Sequence, residues 1–147
     1  MITTQDVIRY VEGLSGHALN GDEGIHHGPK SRGLSGITVC WMATQDAIAA
    51  AGRRGHNLLI THESLYYPYD IIRSPKNVPG WHTWQVNRQR RHLLSKHGLT
   101  LLRVHGSLDE ICIFDDFAAM LGLGKPVSAH GLTKVYRIAP CSLRALI

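Results

Sequence analysis

Two short apolar runs constrain the fold of this chain more than any other feature. They are Asn57–Thr61 (NLLIT) and Thr100–Val104 (TLLRV), and each has the length and composition of a buried strand. A histidine and a carboxylate follow closely after each run. Because ligands bind outside the carboxyl ends of the strands in an open parallel sheet, we expect these polar side chains to converge there. The four side chains are His62, Glu63, His105 and Asp109.

Imidazole and carboxylate groups together form a ligand set for a divalent metal such as Zn, Fe, Mn or Co. His62 and Glu63 are adjacent, so only a turn directly after Thr61 lets both reach one site. The structural alternative has His62 bonded to a backbone group and Glu63 in solvent. Asp109 has an alternative too, since it could cap a helix that starts at Glu110. Because two separate segments offer the same chemistry, the sequence favours the metal site.

Strands alternate with helices along the chain, which predicts an α/β fold with a mainly parallel sheet and right-handed crossovers. The predicted strands are Ile37–Met42, Asn57–Thr61, Thr100–Val104 and Lys134–Ala139. The predicted helices are Gln5–Leu14, Gln45–Arg54, Thr83–Lys96 and Phe114–Leu121. We expect Thr4 and Thr44 to cap the first two helices, and Ser142 to cap a further helix of which the chain contains only the start.

Two segments are predicted as loops. Ser15–Gly36 is polar and rich in glycine, and it contains the pair His26–His27. A mobile, solvated loop is the favoured interpretation, with a flap over the site as the alternative. The second segment, Leu65–Trp81, is rich in aromatic residues and holds three prolines.

Composition excludes several classes of protein. A chain of 147 residues with 44% hydrophobic and 18% charged residues is typical of one globular domain. The sequence has no apolar run of about 18 residues and no basic, apolar leader, so we expect no membrane association. Three cysteines outside any C-x-x-C spacing favour a reducing, cytoplasmic location. The net charge of +5 is weak evidence for nucleic acid, and the basic run Arg88–His92 is predicted to be a solvated helix face.

Five segments in order resemble one known family: ITVCWMAT, GHNLLITHESLYY, LTLLRVHGSLDE, FDDFAAMLGLGKPV and KVYRIAPCSLRALI. They are similar to the amino-terminal half of the Nif-three-like dinuclear-metal proteins, also called type 2 homologues of GTP cyclohydrolase I. The resemblance runs from Ile37 to the end and is weaker before that. It implies an α/β/α lobe, with a mainly parallel or mixed sheet and helices on both faces. Residues 1–147 would then be a single lobe, the amino-terminal half of a longer two-lobe protein.

The resemblance also implies the ligand set. His62 and Glu63 match the family's paired-ligand positions, which usually hold two histidines, and Asp109 matches the carboxylate of a His-Thr-x-x-Asp motif. His105 is a ligand or a close neighbour. Glu63 makes the site more anionic, which favours Mn or Mg somewhat over Zn. The family's other half supplies a further histidine and glutamate, so we expect at most one metal ion on this chain.

The function implied by the resemblance is that of a metal-dependent hydrolase acting on a small molecule, with a nucleotide-like substrate as one candidate. His105 would be the catalytic residue that orients the attacking water or exchanges its proton. The alternative class is a non-catalytic metal-binding module for regulation or protein interaction. Family members form toroidal hexamers built from dimers, so we also expect a homo-oligomer.

Overall fold

The structure of the chain, a computed structural model, describes residues 1–68, 79–130, 133–142 and 144. Most of the predicted loop Leu65–Trp81, and the helix expected after Ser142 apart from Arg144, lie outside these residues. The chain divides into two compact units, Met1–Leu108 and Asp109–Ile147. The helices are α1 (Thr4–Ser15), α2 (Gln45–Arg53), α3 (Gln85–Lys96), α4 (Gly106–Leu108) and α5 (Phe114–Met120). The strands are β1 (Gly24–His27), β2 (Ile37–Cys40), β3 (Leu58–Thr61), β4 (Thr100–Arg103), β5 (Ser128–His130) and β6 (Thr133–Val135).

The first unit is built on a four-stranded mixed sheet with the strand order β1-β4-β3-β2. Strands β2, β3 and β4 run parallel, and β1 pairs antiparallel with β4. Helix α2 connects β2 to β3, and α3 connects β3 to β4. The predicted α/β fold with a mainly parallel or mixed sheet is therefore confirmed. The carboxyl ends of β3 and β4 lie side by side, because Thr61 pairs with Arg103 at the end of the ladder.

The main core lies between this sheet and helices α2 and α3. Leu59 of β3 and Leu101 of β4 are fully buried in one cluster with Ile48 of α2 and Leu94 of α3. Side chains alternate between the two faces of a strand, so the fully buried Leu58 and Leu102 project from the opposite face. Both faces of the two central strands are therefore covered, which holds their carboxyl ends in a fixed place.

The starts of α1 and α2 follow from local hydrogen bonds. Thr44 caps α2 as predicted, since its hydroxyl accepts from the Ala47 N–H at 3.1 Å. The predicted cap of α1 is wrong by one residue. Thr3, rather than Thr4, forms a capping box in which its hydroxyl accepts from the Asp6 N–H and the Asp6 carboxylate accepts from the Thr3 N–H. Thr4 is buried within the first turn.

Strand β1 lies within the stretch predicted as a mobile loop, and that prediction is wrong for Gly24–His27. These residues pair with β4 from Gly24 opposite Arg103 to His27 opposite Leu101, with the register shifting at His26. Their side chains are all half-buried, so the segment shows none of the alternation that marks a strand in the sequence. The pairing places His26 and His27 on an ordered edge of the sheet.

The opposite edge of the sheet is β2, which ends two residues earlier than predicted, at Cys40. Ile37 and Val39 expose their side chains there. An exposed apolar edge is a common place for chains to associate. The predicted homo-oligomer stays a prediction.

In the second unit, a π-helical segment, Asp109–Ile113, leads into α5, and β5 and β6 form an antiparallel pair. The Lys134 ammonium forms an ion pair with Asp115. The predicted strand Lys134–Ala139 is shorter than expected and ends at Val135, where its pairing with β5 ends. In the described part of the chain, no helix combines the length and apolarity that crossing a membrane requires.

Candidate metal site

The chain turns sharply at the carboxyl end of β3. The backbone N–H groups of His62 and Glu63 both donate to the carbonyl of Trp41, at 3.2 and 2.9 Å. The Thr61 hydroxyl donates to the Glu63 carbonyl at 2.9 Å. This is the turn directly after Thr61 that the metal hypothesis required. It brings the two adjacent side chains together, with Glu63 Oε1 3.4 Å from His62 Nδ1.

The imidazole of His62 is buried between two other rings. Trp41 stacks on it with centroids 3.9 Å apart and an angle of 13° between the planes. His105 meets it edge-on, with centroids 4.7 Å apart and an angle of 87°. Arg103 Nε donates to the His62 carbonyl at 3.0 Å, which fixes the backbone as well. These contacts hold the ring of His62 in one orientation.

His105 follows β4 in the same way that His62 follows β3. The Val104 N–H donates to the Thr61 carbonyl at 2.9 Å, so the ends of the two strands stay joined up to these histidines. The carbonyl of His105 accepts from the Leu108 N–H at 3.0 Å, which closes the single turn of α4. The segment between His105 and Asp109 is therefore helical.

Asp22 orients the His105 ring. Its carboxylate accepts from His105 Nδ1 at 3.1 Å and lies 3.0 Å from Arg103 Nη1. Asp22 and Arg103 are both buried, and the carboxylate of one neutralises the guanidinium of the other. With its proton on Nδ1, His105 has a lone pair on Nε2, the arrangement usual for a metal-ligating histidine held by a carboxylate.

Glu23, the neighbour of Asp22, anchors the backbone around His105. Its Oε1 accepts from the N–H groups of His105 and Ser107, at 2.5 and 2.9 Å, and its Oε2 accepts from the Ser107 hydroxyl at 2.6 Å and from the Asn20 N–H at 2.7 Å. Burial acts to raise the pKa of Glu23, but the hydrogen bonds from Ser107, Asn20 and His105 outweigh burial and the pKa lies below its ordinary value. Glu23 is therefore a stable anion that caps the first turn after β4.

Asp109 is not the helix cap that its alternative interpretation required, because the helical backbone already begins at Gly106. Asp109 is the first residue of the π-helical segment, four positions after His105. The group formed by His62, His105 and Asp109 could bind a metal ion. Each residue offers one ligand atom, and the three atoms all lie within 4.8 Å of one another.

The donor set suits a divalent ion. Ligand atoms lie about 2.0–2.2 Å from a bound ion, so atoms that share one ion are roughly 3–4 Å apart. The three atoms are therefore close to the spacing that an ion requires. Two imidazoles and one carboxylate suit Zn, Fe or Mn and leave the identity of the metal open. Glu63 is not one of the three, although its carboxylate lies beside His62, and its role as a ligand stays a prediction.

The sequence analysis assigns no role to Asp22 and Glu23, which stand shortly before the histidine pair His26–His27. Their partners are more than 80 positions away, so only the pairing of β1 with β4 brings them to the site. His26 belongs to the same region, and its Nε2 lies 3.2 Å from the Asp22 carbonyl. Burial and the charge of Arg103 lower the pKa of His26, which favours its neutral form.

Several solved structures are similar to this chain. Staphylococcus aureus protein SA1388 aligns with a TM-score of 0.66 and 16% identity, over 86% of this chain and 36% of that one. A Bacillus cereus protein related to NIF3 aligns with a TM-score of 0.66 and 18% identity, over 87% of this chain and 36% of that one. Reduced HcgD from Methanocaldococcus jannaschii aligns with a TM-score of 0.65 and 19% identity, over 85% of this chain and 49% of that one. No protein-family model and no curated protein matches the sequence.

This chain spans between about a third and a half of the length of those three proteins. At identities below 20%, the likeness concerns the arrangement of the backbone. The predicted resemblance is confirmed at that level, and the chain has the fold of the NIF3-related proteins.

Proposed function

We propose that this protein binds one divalent metal ion through His62, His105 and Asp109, and that the ion serves the hydrolysis of a small-molecule substrate. The observation that carries the proposal is the convergence of these three ligand atoms within 4.8 Å. The buried carboxylate of Asp22 behind His105 supports it further. A carboxylate partner of this kind fixes the tautomer of a ligating histidine and raises its basicity.

A divalent ion bound there would supply Lewis acidity, which makes water a nucleophile near neutral pH. The residues of the chain supply the other parts of the mechanism. Trp41 covers one side of His62, which leaves the substrate to approach from another side. Glu63 is partly exposed beside His62, so it is placed to accept the proton that an attacking water loses. In this proposal His105 is a metal ligand, so Glu63 takes the proton-accepting role that was predicted for His105.

The metal part of the proposal is tested by calorimetric titration of the metal-free chain with Zn and with Mn. We expect one site per chain. His62→Ala and Asp109→Asn should each weaken binding by about 100-fold or more, because loss of a second-shell partner alone costs 10–100-fold. His82→Ala is the matched control, because His82 is exposed outside the site and its loss should leave the affinity unchanged. Equal metal affinity of the natural chain and all three variants would contradict the proposal.

The hydrolytic part needs a separate assay. The metal-loaded chain is tested on p-nitrophenyl phosphate, bis(p-nitrophenyl) phosphate and p-nitrophenyl acetate, which represent phosphomonoesters, phosphodiesters and carboxylic esters. We expect turnover of at least one ester that stops when the metal is chelated. Glu63→Gln should retain metal and lose most of the turnover. Tight metal binding without turnover on any ester would favour the non-catalytic alternative, a metal-binding regulatory or interaction module.

A further inference from the structure

A basic groove of about 920 Å³ runs along one side of helix α3 in the first unit. Its wall on α3 includes Arg88, Arg91, His92 and Ser95, and His27 of β1 closes the other side. None of the described residues that line it is acidic. The helix itself, QVNRQRRHLLSK, also lacks aspartate and glutamate. Among the described residues, the groove therefore concentrates positive charge without an acidic side chain to neutralise it.

The arginines of α3 have different roles. Arg90 is buried and donates through Nη1 to the Leu65 carbonyl at 2.9 Å, so it serves the packing of the helix. Arg88 and Arg91 are exposed, and neither guanidinium forms an ion pair with any residue that the structure describes. They are three positions apart on α3, which places them on one face about 4.5 Å apart along the helix axis.

The far wall of the groove is polar and ordered. Ser95 Oγ lies 3.4 Å from His27 Nε2. Burial and the nearby charge of Arg91 lower the pKa of His27, so its neutral form is favoured and it can exchange hydrogen bonds with a ligand. Strand β1 holds His27 in this position, because His27 pairs with Leu101 of the central strand β4.

We propose that this groove binds a small molecule bearing a di- or triphosphate group, with Arg88 and Arg91 as the paired cations. Two guanidinium forks on one face suit adjacent phosphate groups, which accept charge-assisted hydrogen bonds. The volume is near the upper end of the range for small-molecule sites. The cations extend over about one helical turn, and none of the described residues that line the groove is a tryptophan, tyrosine or phenylalanine. A groove for single-stranded nucleic acid would pair a longer basic track with stacking platforms.

The test is calorimetric titration of the full, chelator-treated chain with inorganic tripolyphosphate at low ionic strength. Because no metal is present, the result is independent of the proposed metal site. We expect one site per chain and about 10-fold weaker binding in the double variant Arg88→Ala/Arg91→Ala. The control Arg53→Ala/Arg54→Ala removes the same charge from exposed positions outside the groove and should change the affinity less than about twofold.

A second variant tests whether binding depends on the paired N–H donors of the guanidinium groups or only on their positive charge. Arg88→Lys/Arg91→Lys keeps both charges and the fold, and it should bind tripolyphosphate more weakly than the natural chain. No binding by the natural chain, or equal weakening by the control on α2, would overturn the proposal. So would tighter binding of a ten-residue oligothymidylate than of tripolyphosphate, since that result would assign the groove to nucleic acid.

Discussion

The carboxylate of Asp22 accepts a hydrogen bond from His105 Nδ1 at 3.1 Å, although 83 positions of sequence separate the two residues. The same Oδ2 atom lies 3.0 Å from the buried guanidinium of Arg103. One carboxylate thus orients a candidate metal ligand and neutralises a buried cation. The site and the stability of the first unit therefore depend on the same residue.

Replacing Asp22 should affect both properties. Asp22→Asn is expected to weaken metal binding by 10–100-fold, because His105 loses its carboxylate partner. It should also lower the free energy of unfolding by about 3–5 kcal/mol, because the buried Arg103 loses the carboxylate that lies 3.0 Å from its guanidinium. Calorimetric titration and urea unfolding measure the two effects. Asp46→Asn, at an exposed position at the start of α2, should alter neither.

A double variant separates these two effects of Asp22. Asp22→Asn/Arg103→Met removes the buried cation together with its counterion, so part of the lost stability should return. Metal affinity should stay low, because His105 still lacks its partner. Full recovery of metal affinity in the double variant would show that Asp22 acts only through folding.

The stability of α1 should depend on pH through Asp6. Hydrogen bonds from the Thr3 hydroxyl and N–H, and then from Arg9, lower the pKa of Asp6 to about 2 from its ordinary value of 3.8. A lowered pKa means that this contribution is fully present above pH 3.8 and disappears as the pH falls through about 2. Asp6→Asn should therefore melt at a lower temperature than the natural chain near pH 6, and the difference should shrink on acidification. If the difference in melting temperature stays constant down to pH 2, the ionised carboxylate of Asp6 is not its cause.

Replacing Gly28 or Gly13 by alanine should change the stability of the chain in opposite directions. Gly28 follows β1 with a φ of +85°, and a Cβ atom there would lie 2.8 Å from Thr100 Cα. Gly28→Ala is expected to cost about 1–3 kcal/mol through strain and displacement of the edge strand. Gly13 lies inside α1 with open space around it, so Gly13→Ala should stabilise the chain by about 0.5–1 kcal/mol. Thermal unfolding distinguishes them, and equal effects would contradict this account of β1.

The features that the sequence predicted well are those with local causes. Strands β3 and β4 are centred on runs of leucine and isoleucine, and Thr44 carries its own capping signal, so each could be recognised from neighbouring residues. The convergence of the two histidines followed from one topological rule, because parallel strands end at the same edge of a sheet.

The features that were missed depend on distant partners. Gly24–His27 contains two histidines and a glycine, and it becomes a strand only because β4 supplies an antiparallel partner. The roles of Asp22 and Glu23 follow from the same pairing. The capping box of α1 is a different case, since a threonine three residues before an acidic residue is a readable signal and only the choice between Thr3 and Thr4 was wrong.

The central claim is that His62, His105 and Asp109 hold one metal ion, and a crystal structure of the chain grown with Zn or Mn tests it most directly. Anomalous scattering at the metal's absorption edge locates the ion without reference to the protein. We expect one strong peak per chain, about 2.0–2.2 Å from an imidazole nitrogen of each histidine and from a carboxylate oxygen of Asp109. A peak bound by other residues, or no peak near His62 at saturating metal, would contradict the account.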